Sequence, residues 1–349
     1  MLIFTNRHLD AGTTDKAFSG AFTRAGEQLA VAEVDRAARG WKLSDIDDDV
    51  DEVDALNRLL PLFTGGKPVM LYVHGYNNTP AHCFGRVQDL QQLYPGVETI
   101  GFSWPSEGLL SDGSPLPGIA MPPPGTDEGE LAHLTSGNRR QEADMASRYH
   151  QAQTNAKDSV DAFGRLLRLL GTARLHANTQ PITLAIHSLG AHLFQYALQV
   201  PGATESAGTM HNIVLLAPCV RAAAHTEWIN RFRPKGCTYV TYNKGDNVLF
   251  GAAIADGEQL KLGTSPGSDL VHREGVRYIS FSNAPNDFGG HRYFVERVSR
   301  KARTLFSRIF ASQVDFALDE SPKVVYPLGC DPEGATCYMH VPDRPDVLP

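Results

Sequence analysis

The run Leu184-Ala185-Ile186-His187-Ser188-Leu189-Gly190-Ala191 places a serine between an apolar stretch of strand character and a stretch of helix character. A serine hydroxyl is a weak nucleophile until a base takes its proton and the backbone presents it at a sharp turn. In such a turn the serine adopts a strained conformation, and small neighbours two residues away on either side let strand and helix approach closely. The Ser188 hydroxyl then projects from the C-terminal end of the strand, where open α/β sheets bind ligands. The N–H of Leu189, at the helix start, faces a developing oxyanion. Gly190 satisfies the second glycine of the G-x-S-x-G spacing, whereas Ile186 occupies the first and crowds the turn. The plainer reading of Ser188 is a helix N-cap after a strand.

The elements around this motif alternate between short β-rich runs and helical patterns, which predicts a mostly parallel sheet with crossover helices. Strands are expected at Leu2–Thr5, Gln28–Val34, Pro68–His74, Thr99–Trp104, Ile182–His187, Ile213–Leu216, Thr238–Tyr242 and Val276–Phe281. Helices are expected after the acid-rich Asp45–Asp54, over Pro80–Leu93, over Arg148–Leu170, over Gly190–Leu198 and over the amphipathic, basic Phe294–Phe310. From Pro105 to Asn138 repeated prolines and glycines interrupt any long element, so this segment reads as an insertion, a lid or a pocket wall. Its Leu109, Leu110, Leu116, Ile119, Met121, Leu131 and Leu134 make it apolar enough to cover something. The expected organisation is one domain over residues 1–320 and an irregular, Pro-rich tail over 321–349.

Several landmarks recur in a fixed order: Phe4-Thr5-Asn6-Arg7, Val73-His74-Gly75-Tyr76-Asn77-Asn78, Phe102-Ser103-Trp104-Pro105, His187-Ser188-Leu189-Gly190, Leu215-Leu216-Ala217-Pro218, Tyr242-Asn243-Lys244-Gly245-Asp246 and Gly290-His291. With these the chain resembles a bacterial branch of the α/β-hydrolase superfamily, a domain family of unknown function, over nearly all of residues 1–300. The resemblance implies the α/β-hydrolase fold, a mostly parallel central sheet with helices on both faces. Members of the branch often lack the first elbow glycine, typically with alanine there, so Ile186 is a partial departure.

The partners of Ser188 follow from the chain order Ser, acid, His that this fold uses. Asp246 ends the turn after Thr238–Tyr242 and is the candidate orienting acid; its plainer role is to cap local backbone N–H groups. His291 follows the last expected strand, after Gly289-Gly290, and is the candidate base. His187 adjoins Ser188, but neighbouring strand side chains point to opposite faces, so it is poorly aimed at the serine. His74 reads as structural, His272 stands at the wrong edge, and Cys219 stands where some relatives carry an acid. The loop after His74 is expected to supply the second oxyanion donor, the N–H of Tyr76, with Gly75 allowing close approach. The expected activity is hydrolysis of a carboxylic ester, small or lipid-like, through an acyl-serine, with no metal or organic cofactor. A non-catalytic scaffold binding a ligand or partner protein is the alternative, motivated by Ile186 and the long insertion.

Bulk properties exclude other classes. The chain has 349 residues, 42% hydrophobic and 20% charged, with a formal net charge of -7 and no Lys/Arg cluster, which disfavours nucleic acid. No run approaches the ~18 consecutive apolar residues of a membrane span. The start Met-Leu-Ile-Phe-Thr-Asn-Arg has no secretory pattern, so a cytoplasmic location is expected. Five cysteines do not form a disulfide framework. Cys83, Cys219 and Cys237 are expected buried, and Cys330 and Cys337, flanking a short turn, are expected as free thiols in a reducing cytosol. The acidic run Asp45–Asp51 lacks the glycine and final glutamate of a calcium loop, and no nucleotide fingerprint follows a strand.

Overall fold

A computed structural model describes residues 1–134, 138–177, 180–257, 259–282 and 289–313 in full, and 326–330 and 337–340 through their backbone. Among these residues the strands are β1 (Leu2–Thr5), β2 (Arg7–Leu9), β3 (Phe18–Phe22), β4 (Ala30–Arg36), β5 (Trp41–Asp47), β6 (Val69–Val73), β7 (Glu98–Ser103), β8 (Ile182–His187), β9 (Asn212–Leu216), β10 (Thr238–Tyr242), β11 (Val276–Ser280), β12 (Tyr326–Cys330) and β13 (Cys337–His340). The helices are α1 (Glu52–Thr64), α2 (Pro80–Leu93), α3 (Arg139–Asp158), α4 (Val160–Ala177), α5 (Gly190–Ala197), α6 (Ala203–Thr209), α7 (His225–Ile229), α8 (Asn247–Ala255) and α9 (Arg300–Phe310). No helix of the described residues is long and apolar enough to cross a membrane.

An eleven-stranded sheet runs in the order β12-β13-β11-β10-β9-β8-β6-β7-β1-β4-β5. From β13 to β1 every neighbouring pair is parallel, while β4, β5 and β12 are antiparallel additions at the two edges. Every residue of β6, β8, β9, β10 and β11 is buried, as strands covered on both faces must be. Helix α4 packs on α1, α5 and α6, while Tyr94 at the end of α2 packs edge-on against Phe306 and Phe310 of α9. This is the α/β-hydrolase architecture. Because the central strands are parallel, their C-terminal ends lie at one edge, and the loops that leave them meet there.

Four expectations need correction. The long helix expected over Arg148–Leu170 is two helices, α3 and α4, broken at Ser159. The Ser159 hydroxyl donates to the Asn155 carbonyl (2.7 Å) and accepts from Asn6 (2.8 Å), so it serves the fold rather than a continuous helix. The expected Phe294–Phe310 helix starts only at Arg300, where Ser299 caps it through the Ala302 N–H (3.1 Å). Phe294 is buried in the segment before it. The acidic run is split between β5 and α1, with Asp51 capping α1 through the Asp54 N–H (2.9 Å). The tail expected to be irregular contributes β12 and β13 to the sheet; the turn between them lies outside the described residues. Cys83, Cys219 and Cys237 are buried, as expected.

The Pro/Gly-rich segment is fixed at both ends. At its start Glu107 pairs with the buried Arg7 (2.6 Å), whose guanidinium also donates to the Trp104 carbonyl (2.7 Å). Toward its end a 3-10 turn over Glu128–His133 packs on α8. The approach is so close that a Cβ on Gly251 would overlap the Leu131 carbonyl. Gly251→Ala should therefore lower unfolding free energy by about 3 kcal/mol in urea titration, since backbone has no alternative rotamer. Gly66→Ala, where an added Cβ meets nothing within 4 Å, should change it by less than about 0.5 kcal/mol. Equal midpoints for the two variants would show that the α8 contact does not constrain the fold.

Candidate active site

Ser188 follows the last residue of β8 and takes φ +51°, the left-handed conformation required by a sharp strand-to-helix turn. Its N–H donates to the Leu216 carbonyl (2.9 Å), and its own carbonyl accepts from Cys219 (3.0 Å) and Ala191 (3.0 Å). The end of β9 and the first turn of α5 thus hold the serine in its turn. Neighbouring strand ends share the device: Asn77, after β6, has φ +50°, and Ala217, after β9, has φ +44°. Gly190 is required by contact, because a Cβ there would lie 2.7 Å from the His74 carbonyl oxygen. Ile186 does not prevent the turn. It is fully buried in β8, in register with Val73 of β6 and Leu215 of β9.

Gly75 sits directly against the serine: a Cβ on it would stand 2.7 Å from the Ser188 Cβ and 3.2 Å from its Oγ. Tyr76 is the next residue of the loop whose Gly75 borders Ser188. Among the described residues neither the Tyr76 N–H nor the Leu189 N–H donates to a protein acceptor. The loop itself is held firmly. Asn78 Nδ2 donates to the Tyr76 carbonyl (2.8 Å) and to Glu128 (2.8 Å), and the Tyr76 hydroxyl donates to Glu130 (2.6 Å). Glu130 also pairs with the buried Arg148 (2.6 Å). These acids belong to the Pro/Gly-rich insertion, which is thus tied to the loop beside Ser188.

His291 and Asp246, far apart in sequence, meet at the ends of β10 and β11, with His291 Nδ1 2.7 Å from Asp246 Oδ2 and both side chains buried. Asp246 Oδ1 accepts the Leu249 N–H (2.9 Å), so the aspartate also caps α8. The capping role and the role as partner of His291 are carried by different oxygens. Asn243 joins the two loops: its Nδ2 donates to the Gly290 carbonyl (2.6 Å), and its Oδ1 accepts the Gly245 N–H (2.9 Å). Gly290 has φ +67°, and a Cβ there would meet Asn243 Nδ2 at 2.7 Å. After His291, Arg292 pairs with Asp127 of the insertion, and the Tyr293 hydroxyl accepts the Ala217 N–H (3.1 Å). The His187 ring packs on the His291 ring, centroids 4.7 Å apart. His291 therefore packs, with its ring tilted by 47°, on the residue that precedes Ser188.

The other histidines differ in kind. His74 Nε2 accepts the Trp104 N–H (3.1 Å) and its ring stacks on the Trp104 ring, tying the end of β6 to the end of β7. Burial lowers its pKa to about 3. Burial, followed by the proximity of His291, holds His187 well below its ordinary value. Burial pushes the Cys219 thiol up to about 11, so it is no thiolate at neutral pH. Among the described residues no group of three His, Cys, Asp or Glu side chains is arranged to hold a metal ion.

Sequence pattern alone did not single out Asn243, Glu128, Glu130, Arg148 or Arg292. An asparagine two residues before a glycine is a turn signal, which is how Asn243 was available to be found. The acids of the insertion and the arginines that pair with them carry no such local signature. Their partners lie from 18 to 165 residues away.

With this geometry in place the chain can be assigned to a class of proteins. It belongs to the family described as alpha/beta hydrolase of unknown function (DUF900), which matches residues 56–308. Membership defines a hydrolase scaffold. Comparison with curated proteins and with solved structures returns no match.

The neutral, buried His74 and His187 make stability depend on pH. Each has a folded pKa below the 6.5 of an unfolded imidazole, so the unfolded chain binds more protons as pH falls through that value. Their contribution is complete above pH ~6.5 and is lost below it, by about 1.4 kcal/mol per pH unit for each imidazole. Urea midpoints should therefore fall steeply from pH 7 to pH 5, and His74→Gln should show a shallower decline. A stability that is flat over that range would mean these rings are not held neutral.

Proposed function

We propose that the protein is a serine hydrolase that cleaves a carboxylic ester, small or lipid-like, through an acyl-serine intermediate. The observation that carries this reading is the buried His291–Asp246 hydrogen bond, with His291 packed on His187, the residue before a serine held at φ +51°. Ser188 Oγ attacks the ester carbonyl while His291 Nε2 takes its proton, and Asp246 fixes the tautomer with Nδ1 protonated. Negative charge then develops on the carbonyl oxygen, and the Tyr76 and Leu189 N–H groups are available to hold it. Collapse releases the alcohol, which receives its proton from His291 and leaves an acyl-Ser188. Water repeats the sequence, giving its proton to His291, and the carboxylic acid leaves with Ser188 restored.

The insertion fits the role of a pocket wall better than that of a free lid. Its Glu128 and Glu130 are bonded to the Tyr76–Asn78 loop, and its Asp127 is paired with the residue after His291. A small cavity of about 250 Å³ lies between it, Gly289 and Arg292. The non-catalytic alternative drew on crowding at Ile186, and that crowding does not keep Ser188 out of its turn.

Steady-state hydrolysis of a chromogenic short-chain ester tests the reading. Ser188→Ala and His291→Ala should each lower kcat/KM by at least about 10³-fold, and Asp246→Asn by about 10⁴-fold through the wrong imidazole tautomer. Wild-type rates in a folded Ser188→Ala variant would refute it.

A further inference from the structure

Apart from the proposed triad, a cavity of about 900 Å³ opens along the flank of α5. Its walls come from α3, α5 and the segment that follows β9. Lys157, Arg221 and Arg231 contribute three cations to this lining, against two carboxylates, Glu227 and Asp256. Asp256 is already satisfied: the fully buried Lys261 pairs with it, and Gln153 donates to both of its oxygens at 3.1 Å. Arg221 and Arg231 form no ion pair among the described residues, and Lys157 lies 5.2 Å above the Tyr196 ring. The cavity therefore carries an excess of positive charge on a chain whose net charge is -7.

A histidine and two aromatic rings complete the lining. His192, one helical turn beyond Ser188 on α5, borders the cavity, but it is 8% exposed and its Nε2 is enclosed by protein rather than open to the cavity. Its Nδ1 stands 3.4 Å from the Tyr196 hydroxyl. The tautomer that accepts that hydroxyl proton carries its own N–H on Nε2. Burial and the nearby Lys261 lower the His192 pKa to about 4, so the ring is a neutral donor at pH 7. Trp228 and Tyr196 add aromatic surface to the same walls.

From this arrangement we infer that the cavity is a binding site for a small molecule carrying an oxyanion, carboxylate or phosphate, on an apolar body. Arg221 and Arg231 neutralise the anion, and the Tyr196 and Trp228 rings border its apolar part. None of the lining residues belongs to the proposed triad, so the inference does not depend on ester hydrolysis.

Calorimetric titration of the full chain with phenyl phosphate in one arm and benzoate in the other tests it, with benzyl alcohol as the uncharged probe. Saturable binding of either anion, at least about tenfold tighter than that of the alcohol, is expected, because a charged hydrogen bond is the stronger one. The arm that binds tells phosphate from carboxylate. The exposed pair Arg221→Gln and Arg231→Gln should weaken it at least about tenfold without unfolding the chain, while Ser188→Ala should bind with unchanged Kd. Because Trp228 lines the cavity, its fluorescence should follow the same isotherm. No saturable binding of either anion below concentrations on the order of 10 mM, or equal affinity in the double arginine variant, would overturn the assignment.

Discussion

Holding Ser188 in a left-handed conformation opposes its own side chain by about 1–3 kcal/mol, and the surrounding structure exists in a form that can sustain this. The turn is gripped by β9 on one side through Leu216 and Cys219, and roofed by Gly75 on the other. That grip requires β6, β8 and β9 to be adjacent, parallel and in one register, with Val73 opposite Ile186 and Ile186 opposite Leu215. A slip of one residue would exchange the faces of β8 and carry Ser188 away from Gly75. The fully buried, β-branched and leucine-rich central strands are what fix that register.

The strand ends that follow the serine solve a different problem, which is to bring together residues separated by 45 positions. Asp246 and His291 are joined by one short hydrogen bond, but their loops are joined by Asn243, whose amide spans from the Gly245 N–H to the Gly290 carbonyl. The insertion completes the assembly from above. Its acids reach the loop beside Ser188 through Tyr76 and Asn78, and the residue after His291 through Arg292. The Glu130–Arg148 pair is buried, so removing one partner would strand a charge at a cost of about 3–5 kcal/mol. Such pairs fix geometry more than they add stability.

The parallel core was legible because buried strands are short, apolar and bounded by turn residues: β8 and β10 stand where their sequences place them. Helix α2 is equally plain, since Thr79 caps it and Pro80 opens it. The candidate serine, acid and histidine could be picked from the sequence because each follows an apolar run, and a strand end is a local feature. What was not legible depends on distant partners. The break at Ser159 answers to Asn6, and the ordered insertion answers to Arg7, Arg148 and Arg292. β5 was hidden because its alternating Trp41 and Leu43 lead straight into an acidic run that reads as a helix start. β12 and β13 gain their order from the edge of a sheet whose other strands lie far back in the chain.

The central claim is that Ser188 is a nucleophile activated by His291. A fluorophosphonate probe measures this without knowledge of the substrate, because only an activated serine displaces fluoride from phosphorus at an appreciable rate. Intact-protein and peptide mass spectrometry of the labelled chain should find one adduct per chain, on the peptide containing Ser188, with labelling abolished in Ser188→Ala and strongly slowed in His291→Ala. Absence of any adduct on the folded chain, or an adduct at another residue that persists in Ser188→Ala, would contradict it.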